Sequence, residues 1–139
     1  YQLFDTWAGS LRYDDYKEFV LPYVQKIFKS VDLPSIYFLK NCSHLLDLMD
    51  KSGADLLSVC ETVDIGKIKV KSGIQGNFLN QLLYESEKTV IEETKALLKK
   101  AKAKHKKYIF NLNHGVMPDV EPMKLKMMVD EIHQFKWSR

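Results

Sequence analysis

Five short apolar segments, at residues 2–4, 35–39, 54–59, 74–76 and 108–110, alternate with stretches in which apolar residues recur every three or four positions. Alternation of strand-like and helix-like runs predicts an α/β protein with a parallel sheet and right-handed crossovers. Five strands do not close a barrel, and an eight-stranded (β/α) barrel needs roughly 250 residues. At 139 residues the chain therefore reads as a single domain, 1–139, forming the later part of such a barrel. The rival, an open doubly wound sheet, predicts a glycine-rich phosphate loop after a strand, and no GxGxxG or GxxxxGK[ST] is present.

The intervening segments carry helix signals. Tyr16, Phe19, Val20, Tyr23, Val24 and Ile27 form one amphipathic stripe, with Asp14 as the expected N-cap and Pro22 kinking or restarting the helix. Ser43 is expected to cap a helix whose core side is Leu45, Leu46, Leu48 and Met49, with Gly53 ending it. A short helix is expected at 65–71, stopped by Gly73, then a helical turn at 80–83. Ser86 should cap a longer helix with Val90, Ile91, Thr94, Leu97, Leu98 and Ala101 buried, and a last helix should run from Pro122 through Phe135.

Composition narrows the function. With 45% hydrophobic and 12% aromatic residues the chain can build one core, and a net charge of +3 from 21 basic and 18 acidic residues is an ordinary mixed surface. Lys99, Lys100, Lys102, Lys104, Lys106 and Lys107 cluster where a helix C-terminus is expected, so they complement its dipole, and no interleaved aromatic residues suggest base stacking. Neither nucleic acid nor a membrane is an expected partner. No apolar run approaches the roughly 18 residues of a membrane span, and no signal peptide is visible, which makes the cytoplasm the expected location. Cys42 and Cys60 lie apart without a CxxC, and they read as reduced structural thiols rather than metal ligands. The chain starts at Tyr1 and enters a strand almost at once, which reads as a cut end.

The most informative stretch is 108–122, YIFNLNHGVMPDVEP. An apolar strand there runs into Asn111, Asn113 and His114, at the C-terminal strand end where α/β proteins bind ligands. Gly115 and Pro118 stop the strand, and Asn113 is expected in a turn that tolerates left-handed backbone.

Together with QLFDTWAG at 2–9, LPYVQKI at 21–27 and IQGN at 74–77, this stretch resembles the uroporphyrinogen decarboxylases over nearly the whole chain. The resemblance implies a (β/α)8 TIM-barrel type fold, represented by roughly its last five βα units, in a cofactor-free carboxy-lyase of porphyrin and heme biosynthesis. Its substrate would be the tetrapyrrole uroporphyrinogen III, whose acetate side chains are decarboxylated to give coproporphyrinogen III, and its full-length form would be a homodimer. The family's arginine-rich loop and the aspartate that holds the pyrrole nitrogens would lie in earlier strands. The resemblance places a family serine on Thr6 and a family histidine on His114, both implied in catalysis and substrate binding, with Trp7 beside Thr6 as a further substrate contact or as packing under the loop. The sequence departs from the family at Cys60 and Glu61 in place of Asp-Trp, at Leu79 and Asn80 in place of Asp-Pro, and at Asn113 in place of glycine. Two other readings remain: a non-catalytic fragment or pseudoenzyme acting through a partner, and a zinc-dependent corrinoid methyltransferase of the same superfamily, which would use a zinc-bound thiolate such as Cys42.

Overall fold

A computed structural model describes residues 1–137. All five expected strands form: β1 (Gln2–Phe4), β2 (Ile36–Phe38), β3 (Leu56–Ser58), β4 (Gly73–Gln75) and β5 (Tyr108–Ile109). They pair in parallel in the order β1-β2-β3-β4-β5. Each strand neighbours the next in sequence, as a barrel wall requires and as a doubly wound sheet, with its reversal of strand order, does not.

Strand periodicity divides the sheet into two faces. Leu3, Tyr37, Leu57, Ile74 and Tyr108 are in register across it. Tyr37, Leu57 and Ile74 are wholly buried in a core that includes Tyr16, Leu21, Val24 and Phe28 from the helices. Phe4, Phe38, Ser58, Gln75 and Ile109 are in register on the other face. There the Gln75 amide donates to Ser58 Oγ at 3.1 Å and to Gln2 Oε1 at 3.2 Å. Phe4 on that face is 67% exposed.

Five α-helices cover the first face: α1 (Tyr13–Phe19), α2 (Leu21–Ser30), α3 (Leu46–Met49), α4 (Glu87–Lys104) and α5 (Pro122–Gln134). Pro22 restarts the helix rather than kinking it. Val20 closes α1 and precedes α2, with Pro22 in the first turn, where a missing N–H costs nothing. Ser86 caps α4, its Oγ accepting the Thr89 N–H at 3.2 Å. A second cluster, Phe78, Leu83, Val90, Val120 and Met128, joins α4 and α5 to the end of the sheet.

Several local expectations are corrected. Arg12, not Asp14, precedes α1, and Asp14 and Asp15 occupy its first turn, where carboxylates favour the dipole without capping. Only part of the predicted stripe is buried: Tyr16 and Val24 are in the core, while Phe19 and Tyr23 are each 63% exposed. Cys42, not Ser43, precedes the turn leading to α3, and no side chain caps it. Gly53 has the left-handed φ of 94° that glycine supplies, but four residues beyond Met49, so it turns the chain into β3 rather than ending α3. Residues 65–67 form a turn and 68–71 run on without helix, so the expected helix is absent there. Asp64 is the cause, since its side chain accepts the Gly66 N–H at 3.0 Å, a local bond that competes with helix propagation through the β-branched Ile65, Ile68 and Val70. Gly73 belongs to β4. The strand named β5 ends at Ile109, yet parallel pairing resumes with a bridge between Phe78 and Leu112.

Candidate functional site

The loops after β2, β3, β4 and β5 meet around a cavity of about 410 Å³, a size suited to a small molecule. Lys40 and Asn41 reach it from β2, Cys60 and Glu61 from β3, Asn80 and Gln81 from the segment after β4, and Asn113 and His114 from β5. The site exists because parallel strands deliver all their C-terminal loops to one end of the sheet.

Asn113 organises the wall. Its amide donates to Glu61 Oε2 at 2.9 Å, and its Oδ1 accepts the Asn80 N–H at 3.0 Å. The Asn80 amide in turn donates to the carbonyls of His114, at 3.1 Å, and Gly115, at 2.7 Å, which fixes the backbone that carries His114. The Asn113 hydrogen bond holds the Glu61 carboxyl below its ordinary pKa, and Lys40 and His114 add to the effect. Glu61 is therefore an anion near neutrality. Tyr84 at the rim donates to Asp119 Oδ1 at 2.7 Å, which ties the loop after His114 to the segment after β4.

Asn113 does not adopt the left-handed conformation expected of it. Among the described residues the non-glycine position with positive φ is Asn41, at 55°, on the neighbouring loop that lines the same cavity. Asn113 instead lies at a bend just after the Phe78–Leu112 bridge, its N–H bonded to Phe78 O at 2.8 Å, and its side chain reaches Glu61 and the Asn80 N–H across the loop ends.

The structure places the three residues singled out by resemblance at the same end of the sheet but not in one cavity. His114 lines the cavity beside Lys40 and Glu61. Thr6 and Trp7 follow β1, the far edge strand, and do not line it; Thr6 is half-buried and Trp7 is 81% exposed. Lys40 and Gln81 belong to no motif, and only the register of β2 and the fold of the segment after β4 bring them to His114. The two cysteines are free and buried. Among the described residues no three His, Cys, Asp or Glu side chains converge as metal ligands would. No helix of the described chain is long and apolar enough to cross a membrane.

Sequential parallel βα units with a polar cavity at the C-terminal ends of the strands define an α/β protein of the (β/α)8-barrel type. The fold matches that of a solved structure, a methyltransferase from Methanosarcina mazei, with a TM-score of 0.83 at 21% identity, over 96% of this chain and 41% of that one. The chain belongs to the uroporphyrinogen decarboxylase family, whose model, Uroporphyrinogen decarboxylase (URO-D), matches residues 1–135. Relatives named uroporphyrinogen decarboxylase include those of Aquifex aeolicus, 40% identical over 140 residues, and Chlorobium limicola, 33% identical over 144. Each match covers 96% of this chain and 41% of the relative, so the chain spans about two fifths of the length of these proteins.

Proposed function

We propose that this chain supplies the C-terminal part of a uroporphyrinogen decarboxylase barrel, which removes the acetate carboxyl groups of uroporphyrinogen to give coproporphyrinogen. The observation that carries the reading is the position of His114 and Lys40 on one cavity at the C-terminal strand ends of a chain of this family. Two nitrogen side chains there suit the substrate's carboxylates, and the anchored Glu61 repels a carboxylate on one wall, which orients the acetates toward the other. Thr6, from β1, donates a hydrogen bond at the opposite edge of the barrel mouth, with Trp7 beside it. Positioned donors of this kind act by binding and electrostatic stabilisation and require no cofactor. The acid that protonates the pyrrole ring is assigned to the earlier strands of the barrel.

The test is anaerobic turnover of uroporphyrinogen by the protein that contains this chain and by its His114→Asn variant, with products resolved by carboxylate number. A charge-assisted bond to a carboxylate is worth about 1.5–3 kcal/mol, so the variant should be about ten- to a hundredfold slower. Partly decarboxylated intermediates should accumulate, because a weaker grip releases them between steps. An unchanged rate and product pattern would remove His114 from the site.

A further inference from the structure

The loops after β2 and β3 bring Cys42 and Cys60 together in a way that separation by 18 positions does not suggest. Their sulfurs are 3.4 Å apart, and the Cys42 thiol donates to Cys60 Sγ. The Cys60 N–H donates back to Cys42 Sγ at 3.5 Å, and the Thr62 hydroxyl lies 3.1 Å from Cys60 Sγ. Disulfide sulfurs are bonded at about 2.05 Å, so the pair needs to close by only about 1.4 Å. Cys42 is completely buried, whereas Cys60 is 3% exposed and lines the cavity that holds Lys40, Glu61 and His114. A molecule small enough to enter that cavity therefore meets one cysteine of the pair and not the other.

We propose that Cys42 and Cys60 form a dithiol site oxidised to an intramolecular disulfide by hydrogen peroxide, with Cys60 as the sulfur oxidised first and Cys42 as the one that resolves it. Two independent observations support the division of roles. Cys60 lines the cavity, and hydrogen bonds with Cys42 and Thr62 meet at its sulfur and lower its pKa, whereas Cys42 is pushed up by the proton it shares with Cys60 and by burial. In the first step the Cys60 sulfur, its proton released, attacks a peroxide oxygen. The O–O bond breaks, leaving a sulfenic acid on Cys60 and a hydroxide that takes up the proton as water. In the second step the Cys42 sulfur attacks the Cys60 sulfur. The S–S bond forms, the S–O bond breaks, and the departing hydroxide leaves with the Cys42 proton as a second water. The two thiols lose two electrons and the peroxide gains them.

The disulfide would draw Cys60 away from Thr62 and tie the loop bearing Lys40 and Asn41 to the loop bearing Glu61, so the redox state of the pair sets the width of the cavity between them. This role is independent of the decarboxylase reading and its test uses no turnover. The reduced, desalted chain is exposed to hydrogen peroxide, denatured, alkylated with iodoacetamide and weighed intact. A monomer lighter by about 2 Da, in which neither cysteine is alkylated and dithiothreitol restores both, is expected. The rate should be at least about tenfold higher for the folded chain than for the chain in urea, because the fold holds the sulfurs in place. Cys42→Ser should leave Cys60 to accumulate added oxygen, and Cys60→Ser should leave Cys42 alkylatable after the same exposure. Both thiols remaining alkylatable, oxygen adding to each without loss of 2 Da, disulfide-linked dimers, or equal rates in the folded chain and in urea would each overturn the proposal.

Discussion

Gly9 shows how closely the loop after β1 is fitted to its neighbour. A Cβ at this position would lie 1.6 Å from the carbonyl oxygen of Lys40 and 2.8 Å from its carbon, both backbone atoms that no rotamer change can move aside. Gly9→Ala should therefore destabilise the chain by about 2 kcal/mol or more, above the ordinary range for a surface loop, as a lower urea midpoint would show. A midpoint unchanged from the parent would mean that the two loops are not in contact. The same fit relates Thr6 and Trp7, on the β1 loop, to Lys40, on the cavity's wall. At this scale sequence reading finds residue types but not pairings. His114 is conspicuous as a polar residue after an apolar strand, whereas Asn113 bonding to Glu61 across 52 positions depends on the register of β3, β4 and β5. The left-handed Asn falls at Asn41 rather than at Asn113, whose N–H is held by Phe78 O beside the Leu112 bridge. The contact of Cys42 with Cys60 is invisible for the same reason.

At the scale of elements, the α3-to-β4 connection is held by one carboxylate. Asp50, at the end of α3, accepts N–H bonds from Lys71, at 3.1 and 3.0 Å, and from Ser72, at 2.9 Å, immediately before β4. Burial raises its pKa, but the bonds from Lys71 and Ser72 outweigh burial and leave it below the usual carboxylate value. A depressed folded-state pKa means stability that is fully present above the unfolded pKa of about 3.9 and lost as pH falls through the lower folded value. Asp50→Asn should accordingly lower the urea midpoint at neutral pH and lose less of it than the parent does on acidification toward pH of about 3. Equal acid sensitivity in both proteins would remove Asp50 from the account. The five strands and the helices at α1, α2, α4 and α5 are legible because periodicities of two and three to four leave clear traces in residues such as Leu56–Ser58 and Val90, Thr94 and Leu98. The segment at 65–71 is not, because Asp64 satisfies a local N–H that a helix would need, and an apolar pattern alone does not reveal that competition.

Over the whole molecule the sheet has two open edges, β1 and β5, each paired on one side only among the described residues. Apolar side chains are also exposed, Phe4 and Ile109 on the uncovered sheet face and Phe19 and Tyr23 on the outer side of α1 and α2. Open edges and apolar patches favour association. In sedimentation velocity the chain should show a weight-average size that grows with concentration, and a single monomer species at all concentrations would contradict this. The α/β class follows from sequence alternation, but the strand order that distinguishes a barrel wall from a doubly wound sheet, and the membership of the cavity, do not. Only the folded sheet shows that four loops converge on His114 while Thr6 stands at the opposite edge.

The proposed function puts substrate carboxylates in the cavity between Lys40 and His114. The most direct measurement is a fluorescence titration of uroporphyrin, an octacarboxylate with the substrate's side chains, against the protein that contains this chain and against its Lys40→Ala, His114→Asn double variant. Loss of two charge-assisted contacts should weaken binding by about a hundredfold or more, with the circular-dichroism spectrum unchanged. Equal affinity for the two proteins would contradict the claim.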